Sequence, residues 1–249
     1  MDRYAAFLLI FAGFFVIEAK DISKFFDVCQ RDLSDELLSK CVLKSMEKAR
    51  PQLVKGIPEL GFGSFDPLYI ERISLKDGTG RFKLSQTLSN LTVTGLRDFT
   101  IRDLSISLKT LTLNVITDVK RMRFEGNYEI DGNILVIPIT GTGHASYNFT
   151  DVTLIAKIKF KKVLKNDKIF LKVDSFKLSI AAKSGRVYLA NLFNGNKQLG
   201  DLTNAFMNEN WADVFETYKS LPEEAFAQFY GRQADLIFSK FTMDQLFPV

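Results

Sequence analysis

Histidine and cysteine are almost missing from this chain: its 249 residues hold one His and two Cys. One histidine rules out a His-rich metal site and leaves His144 as the sole base for any Ser-His or Cys-His dyad. Two cysteines build neither a four-thiolate zinc site nor an iron–sulfur cluster. The six prolines stand singly, and no Pro/Ser/Gly tract, low-complexity segment or short-period repeat breaks the chain. Catalytic signatures are missing as well: there is no nucleophile elbow, P-loop, HExxH helix or EF-hand loop. Gly61-Phe62-Gly63-Ser64-Phe65-Asp66 starts like a dinucleotide loop but lacks the third glycine and the preceding strand. These absences predict no enzyme, no metal and no cofactor.

Long apolar runs are also scarce. The one present, Ala5 to Ile17, follows Arg3 and ends before Glu18-Ala19. It is too short for the roughly 20 residues that span a bilayer, and its small residue at position 19 predicts a signal peptide over residues 1–19, cut before Lys20. The expectation is a secreted, extracellular protein of one domain, residues 20–249, with no integral membrane segment. Removing the leader takes Arg3, Asp2 and Glu18, so the remainder is one unit more positive than the whole chain's +4. That balance is too mild to predict nucleic acid as a partner.

What is present is ordinary bulk and an excess of one residue. The chain is 46% hydrophobic and 25% charged, with mean hydropathy of +0.02, as folded proteins are. It holds 23 Phe. In a secreted chain, Cys29 and Cys41 are the only pair and are read as a disulfide, the alternative being two buried thiols. A loop of that length contributes about 3 kcal/mol in the chain-entropy model. Asn90-Leu91-Thr92 and Asn148-Phe149-Thr150 are glycosylation acceptors if their side chains face solvent.

Periodicity divides the chain into helix, sheet and helix. Ser34 is a plausible N-cap, and Leu38, Val42, Met46, Ala49 and Leu53 follow at helical spacing. Pro51 predicts a kink or restart, and Gly56-Ile57-Pro58 the end. From about residue 67 to 190 the period is two. Asp131-Gly132-Asn133 and Lys165-Asn166-Asp167-Lys168 read as hairpin turns, and His144 as the start of a strand after a glycine turn. Apolar residues occupy odd positions at Ile169, Leu171 and Val173 but even ones at Phe176, Leu178 and Ile180, so a bulge falls near Asp174-Ser175. Ser220-Leu221-Pro222-Glu223 reads as a capping box, followed by Phe226, Phe229, Tyr230, Ala234, Ile237, Phe238 and Phe241 on one broad face. Long bent strands beside a long aromatic helix predict an α+β fold in which the sheet wraps the helix.

Two features carry function. Lys157, Lys159, Lys161, Lys162, Lys165, Lys168 and Lys172 form one basic cluster. It reads either as a solvated face that also blocks edge pairing, or as a docking surface for an anionic partner. The phenylalanines fit a solid core, which has the same compositional signature, or a lined pocket for an apolar molecule.

Several stretches resemble the insect takeout and juvenile hormone-binding protein family. They are Phe124-Glu125-Gly126-Asn127-Tyr128-Glu129-Ile130-Asp131-Gly132-Asn133 running on to Ile139 and Thr140-Gly141-Thr142-Gly143, Asn191 to Asp201 with Asn208-Glu209-Asn210-Trp211, Phe65-Asp66-Pro67-Leu68, and the terminal Leu246-Phe247-Pro248. The resemblance implies a super-roll, a long helix wrapped by a strongly curved antiparallel sheet with an internal tunnel, half of a lipid-binding tubular fold. It implies a small apolar ligand such as a lipid, a terpenoid or a juvenile-hormone-like molecule, and it names no receptor. The absence of cysteine after Cys41 resembles the takeout branch rather than the haemolymph carriers. From periodicity, the residues expected to line the tunnel are Leu38, Val42, Phe206, Phe226, Phe229 and Ile237.

Overall fold

Residues 22–76 and 83–249 are described by the computed structural model, and the predicted leader, residues 1–19, lies outside the described residues. Ser34 opens α1 (Asp35–Lys55): its hydroxyl accepts from the Leu37 N–H, and Asp35 and Glu36 occupy the first turn, where the helix dipole favours acids. Leu38 and Ala49 on its apolar stripe are each 1% exposed. Pro51 does not restart the helix; α1 runs through it to Lys55 and stops at Gly56. With only one further turn beyond the ring, little helix remains to be disrupted. Cys29 and Cys41 are disulfide-bonded, their Cα atoms 5.9 Å apart, which ties the preceding arm to α1.

The alternating region forms β1 (Leu68–Lys76), β2 (Leu84–Thr94), β3 (Thr100–Ser107), β4 (Thr112–Ile134), β5 (Ile137–Lys165) and β6 (Lys168–Leu189). All pairings are antiparallel, in the order β1-β2-β4-β5-β6. β3 pairs with the first half of β4 and β2 with its second half, so the two share one side of β4 end to end. The 29 residues of β5 would run about 95 Å if straight. The 19-residue helix beside it, α4 (Ser220–Phe238), is only about 28 Å long. The strand must therefore coil, and bulges let it do so. The pairing of β5 with β6 slips between Lys159 and Phe160, leaving Asp174 as the extra residue, where the change of apolar phase predicts it.

Two expected features sit elsewhere. Asp131-Gly132-Asn133 is not the hairpin turn: β4 continues to Ile134 and turns at Leu135-Val136. Gly132, at φ 134°, serves instead to let β4 pass the backbone of Lys83 and Leu84, a space that a Cβ would fill. Nor does His144 start a strand, since it lies inside β5 opposite Asn127. Its glycine neighbours leave room for the chain crossing at Ala190 to Leu192 rather than making a turn.

Beyond the sheet come α2 (Lys197–Glu209), α3 (Trp211–Tyr218), α4 and the short α5 (Met243–Leu246). α4 lies against both β6 and β1, the two edges of the curled sheet, and so closes the roll. Aromatic pairs carry this contact: Phe160 meets Phe238 at 4.6 Å, Phe124 meets Phe226 at 5.8 Å, and Phe176 stacks on Tyr230 at 6.5 Å. The expected capping box at Ser220 does not form. Lys219 has helical dihedrals, so α3 runs almost directly into α4, and the Glu223 carboxylate accepts instead from the Ile180 N–H of β6. The capping box among these elements is Thr242 with Gln245, at α5.

That contact belongs to a series. A strand edge exposes unpaired backbone groups, and helix side chains satisfy those of β6. Asp235 accepts from Val173, Glu223 from Ile180, Asn208 from Val187 and Asn204 from Leu189. The two asparagines also donate back to Val187 O at 2.8 Å and Leu189 O at 3.0 Å, as a neighbouring strand would. Asn204→Ala leaves both groups of Leu189 buried and unpaired. It is expected to cost about 2 kcal/mol and to lower Tm by about 4–8 °C in a thermal melt. An unchanged Tm would show that this edge needs no cap.

Candidate ligand cavities

Four cavities lie in series between α4 and the concave face of the sheet. The first, about 280 Å³, is lined by Val42 and Met46 of α1, Ile158 of β5 and Phe238 of α4. The second, about 270 Å³, shares Met46, Leu53, Val115, Ala234 and Ile237 with it and reaches Leu178. A third, about 130 Å³, shares Leu154, Leu178 and Tyr230 with the second. A fourth, about 150 Å³, shares Tyr147, Phe149, Phe215 and Pro222 with the third and extends to Trp211 and Tyr218. The first two approach the lower end of the roughly 300–1,000 Å³ typical of small-molecule sites, and their linings are predominantly apolar, as such sites are. A larger groove of about 480 Å³ between α1 and β3 is of another kind, bordered by Asp35, Glu36, Lys40, Arg102 and Asp103.

Polar groups facing the series are few. Tyr147 accepts a 2.5 Å hydrogen bond from Gln86 Nε2. Tyr230 lies deep in the protein, yet part of its surface borders empty cavity, and its hydroxyl has no hydrogen-bond partner among the described residues. Burial pushes both phenols far above their ordinary range, so both are neutral donors at any physiological pH. The charged liners are already paired, Asp27 with Lys48 at 2.6 Å and Lys219 with Glu216 at 2.6 Å. The cavities thus suit an uncharged, elongated, apolar molecule with at most an acceptor or two.

Of the residues expected to line a tunnel, Val42 and Ile237 border the first cavity, Ile237 also the second, and Phe226 the third. The other three line none of the four. Leu38 is packed solid at 1% exposure. Phe206 is half-buried on α2, away from the series, and Phe229 packs edge-on against Tyr230 at 5.3 Å, one position off the inward face of α4. The sheet supplies more of the lining than helical periodicity suggested, through Leu154, Leu178, Tyr147 and Phe149. Of these, the alternation places only Leu178 on an apolar face, and nothing in the sequence says where inward side chains leave a void.

The remaining marked residues lie outside the cavities, apart from Cys29 at the border of the first. Asn90, in a bulge of β2, and Asn148, within β5, are both exposed. His144 Nε2 lies 2.6 Å from Glu125 Oε2 on the outer face, and the Ser146 hydroxyl donates to the other carboxylate oxygen at 2.8 Å. Burial works to raise the Glu125 pKa, but hydrogen bonds from Ser146, Arg123 and His144 outweigh it and hold the carboxyl below its ordinary range. Serine and histidine both address the carboxylate and not each other, unlike the nucleophile–base–acid order of a hydrolase. Asp66, of the Phe65-Asp66-Pro67-Leu68 stretch, is buried and accepts from the Gly95 and Arg97 N–H groups, fixing the turn between β2 and β3.

Comparison with known proteins agrees with this geometry. The chain is 25% identical over 219 residues to the circadian clock-controlled protein daywake of Drosophila melanogaster, covering 83% of each. It is 22% identical over 209 residues to a putative beta-carotene-binding protein of Schistocerca gregaria, covering 83% of this chain and 82% of that one. The crystal structure of Epiphyas postvittana Takeout 1 superposes with a TM-score of 0.73 over 89% of this chain and 99% of that one, at 24% identity, and shows the same fold. The model of the haemolymph juvenile hormone binding protein family matches residues 6–248, and the chain belongs to that family.

Proposed function

We propose that this protein is a secreted, non-enzymatic carrier of a small apolar molecule, held in a tunnel made by the four cavities. The observation that carries the reading is their continuity: each shares lining residues with the next, along the closed side of the roll. Burial in such a lining contributes about 0.8 kcal/mol per methylene, less the costs of association. The unpartnered Tyr230 hydroxyl supplies the point of orientation, donating to a carbonyl, ester or ether oxygen part-way along the ligand. The relatives' names fit this class of cargo, one denoting a juvenile hormone binder and another a putative carotenoid binder. A leader over residues 1–19, removed on secretion, and glycans on the exposed Asn90 and Asn148 complete the proposal.

The test is extraction with organic solvent of protein purified from its native source, followed by mass spectrometry and titration with a fluorescent fatty-acid ester. A stoichiometric apolar compound and saturable probe binding are expected. Tyr230→Phe should weaken the ester probe about tenfold and leave an all-hydrocarbon probe unaffected. Neither a co-purified compound nor probe binding would overturn the carrier reading.

A further inference from the structure

The β5–β6 hairpin concentrates charge beyond anything the whole chain suggests. Between residues 157 and 177 stand eight lysines and two aspartates, so this one hairpin is more positive than the entire chain at +4. All eight lysines are exposed. In register, Lys157 faces Lys177, Lys161 faces Lys172 and Lys165 faces Lys168. Like charges directly opposite one another destabilise a ladder. Of the eight, only Lys161 has a carboxylate partner among the described residues, Asp174 at 3.1 Å. A solvated face or a blocked edge needs no such doubling of positive charge.

The tip adds a second, independent feature. Asn166 and Asp167, both at positive φ, make a sharp two-residue turn. On the face that looks toward the core, burial ends abruptly: Leu171 is 2% exposed, but Ile169 is 42% and its cross-strand neighbour Leu164 is 71%. An uncovered aliphatic pair therefore sits at the far end of the hairpin, ringed by Lys162, Lys165 and Lys168.

We propose that this hairpin docks on an anionic lipid bilayer, with Leu164 and Ile169 entering the interfacial zone and the lysines lying on the headgroup phosphates. A bilayer presents both things the tip requires, a dense sheet of negative charge and an apolar layer just beneath it. An acidic protein would leave the aliphatic pair unexplained. Among the described residues no helix is long and apolar enough to cross a membrane, and the proposed attachment is made by the hairpin tip. Ile158, at the root of the same hairpin, lines the first cavity, and Phe160 packs on Phe238 beside it. If the carrier reading holds, docking brings that end of the tunnel to the surface from which an apolar cargo is drawn; the docking itself does not depend on it.

Co-sedimentation with vesicles tests the proposal, using phosphatidylcholine alone and phosphatidylcholine mixed with phosphatidylserine. Binding is expected only to the mixed vesicles and should fall as salt rises. Lys162→Glu/Lys165→Glu/Lys168→Glu should weaken it by about a hundredfold or more, and Leu164→Ser/Ile169→Ser by about tenfold, with Tm unchanged because all five positions are exposed. Equal binding to both vesicles, lysine reversal without effect, or an aliphatic double variant that binds like wild type would each overturn the proposal. Retention on a sulfated polysaccharide or an acidic protein without vesicle binding would overturn it too. Vesicle binding by a protein that takes up no apolar probe would support docking and remove the carrier reading.

Discussion

Ala234→Trp is expected to reduce the uptake of apolar probes at least a hundredfold while moving Tm by no more than a few degrees. Ala234 lies on α4 and borders the first two cavities, of about 280 and 270 Å³, at the place where they share their lining. An indole there occupies volume that a ligand would otherwise fill. Each methylene it displaces removes about 0.8 kcal/mol of burial, so excluding four or so is worth about 3 kcal/mol, a hundredfold in affinity. In a packed core the same insertion would cost about 1–3 kcal/mol in strain. Here the side chain enters empty space, so its own burial offsets the distortion. The same change at the exposed Gln228, about one and two-thirds turns away on a solvent-facing side of the helix, separates occlusion from any general effect of added bulk. Gln228→Trp should bind like wild type. Retained probe affinity in Ala234→Trp would mean that these voids are not where the ligand goes.

The elements that the sequence made legible are those whose signals are local. Ser34 capping α1, the Asn166-Asp167 turn and the bulge at Asp174 each depend on a few neighbouring residues, and the structure has all three. The misplaced features depend on distant partners. Gly132 looked like a turn because Asp-Gly-Asn favours one, but its positive φ is needed where β4 passes Lys83. Ser220 and Glu223 have the spacing of a capping box, yet Glu223 is drawn to the open edge of β6. In both cases a long-range contact displaces a local preference. No window of sequence contains both partners.

The cavities were less legible than the fold, for a related reason. Hydrophobic period tells which side of an element faces inward, and on that basis Val42, Phe226 and Ile237 were readable. Leu38 has the same period and is packed solid, bordering none of the four cavities. Whether an inward residue touches a neighbour or a void depends on how far the sheet has curled at that level, and bulges and close backbone approaches decide that. The phenylalanines accordingly divide between both roles: Phe241 is fully buried and borders none of the four cavities, whereas Phe149 and Phe215 border open volume.

Gly185 shows how a close approach sets the shape of the fourth cavity, and its replacement should have the largest effect on stability. Gly185 lies in β6 opposite Phe149, and a Cβ there would overlap the six-membered ring of Trp211. The indole has no easy way aside, because Phe149 at 5.4 Å and Phe215 at 4.8 Å hold it. No left-handed dihedral is involved, so the obstacle to alanine is steric alone. Without Trp211, Gly185→Ala would stabilise by about 0.4–1 kcal/mol through the unfolded chain. With it, a cost of about 2–3 kcal/mol is expected, a fall in Tm of roughly 5–10 °C. In a Trp211→Leu background the same substitution should become neutral or stabilising, a coupling of about 2–3 kcal/mol between the two sites. Trp211 is the only tryptophan of the chain and borders the fourth cavity, so its emission reports the displacement directly. Gly185→Ala should shift that emission to the red as the ring is pushed toward water, and an apolar ligand entering the fourth cavity should shift it to the blue. If Gly185→Ala destabilises equally with leucine at position 211, the indole is not what requires the glycine.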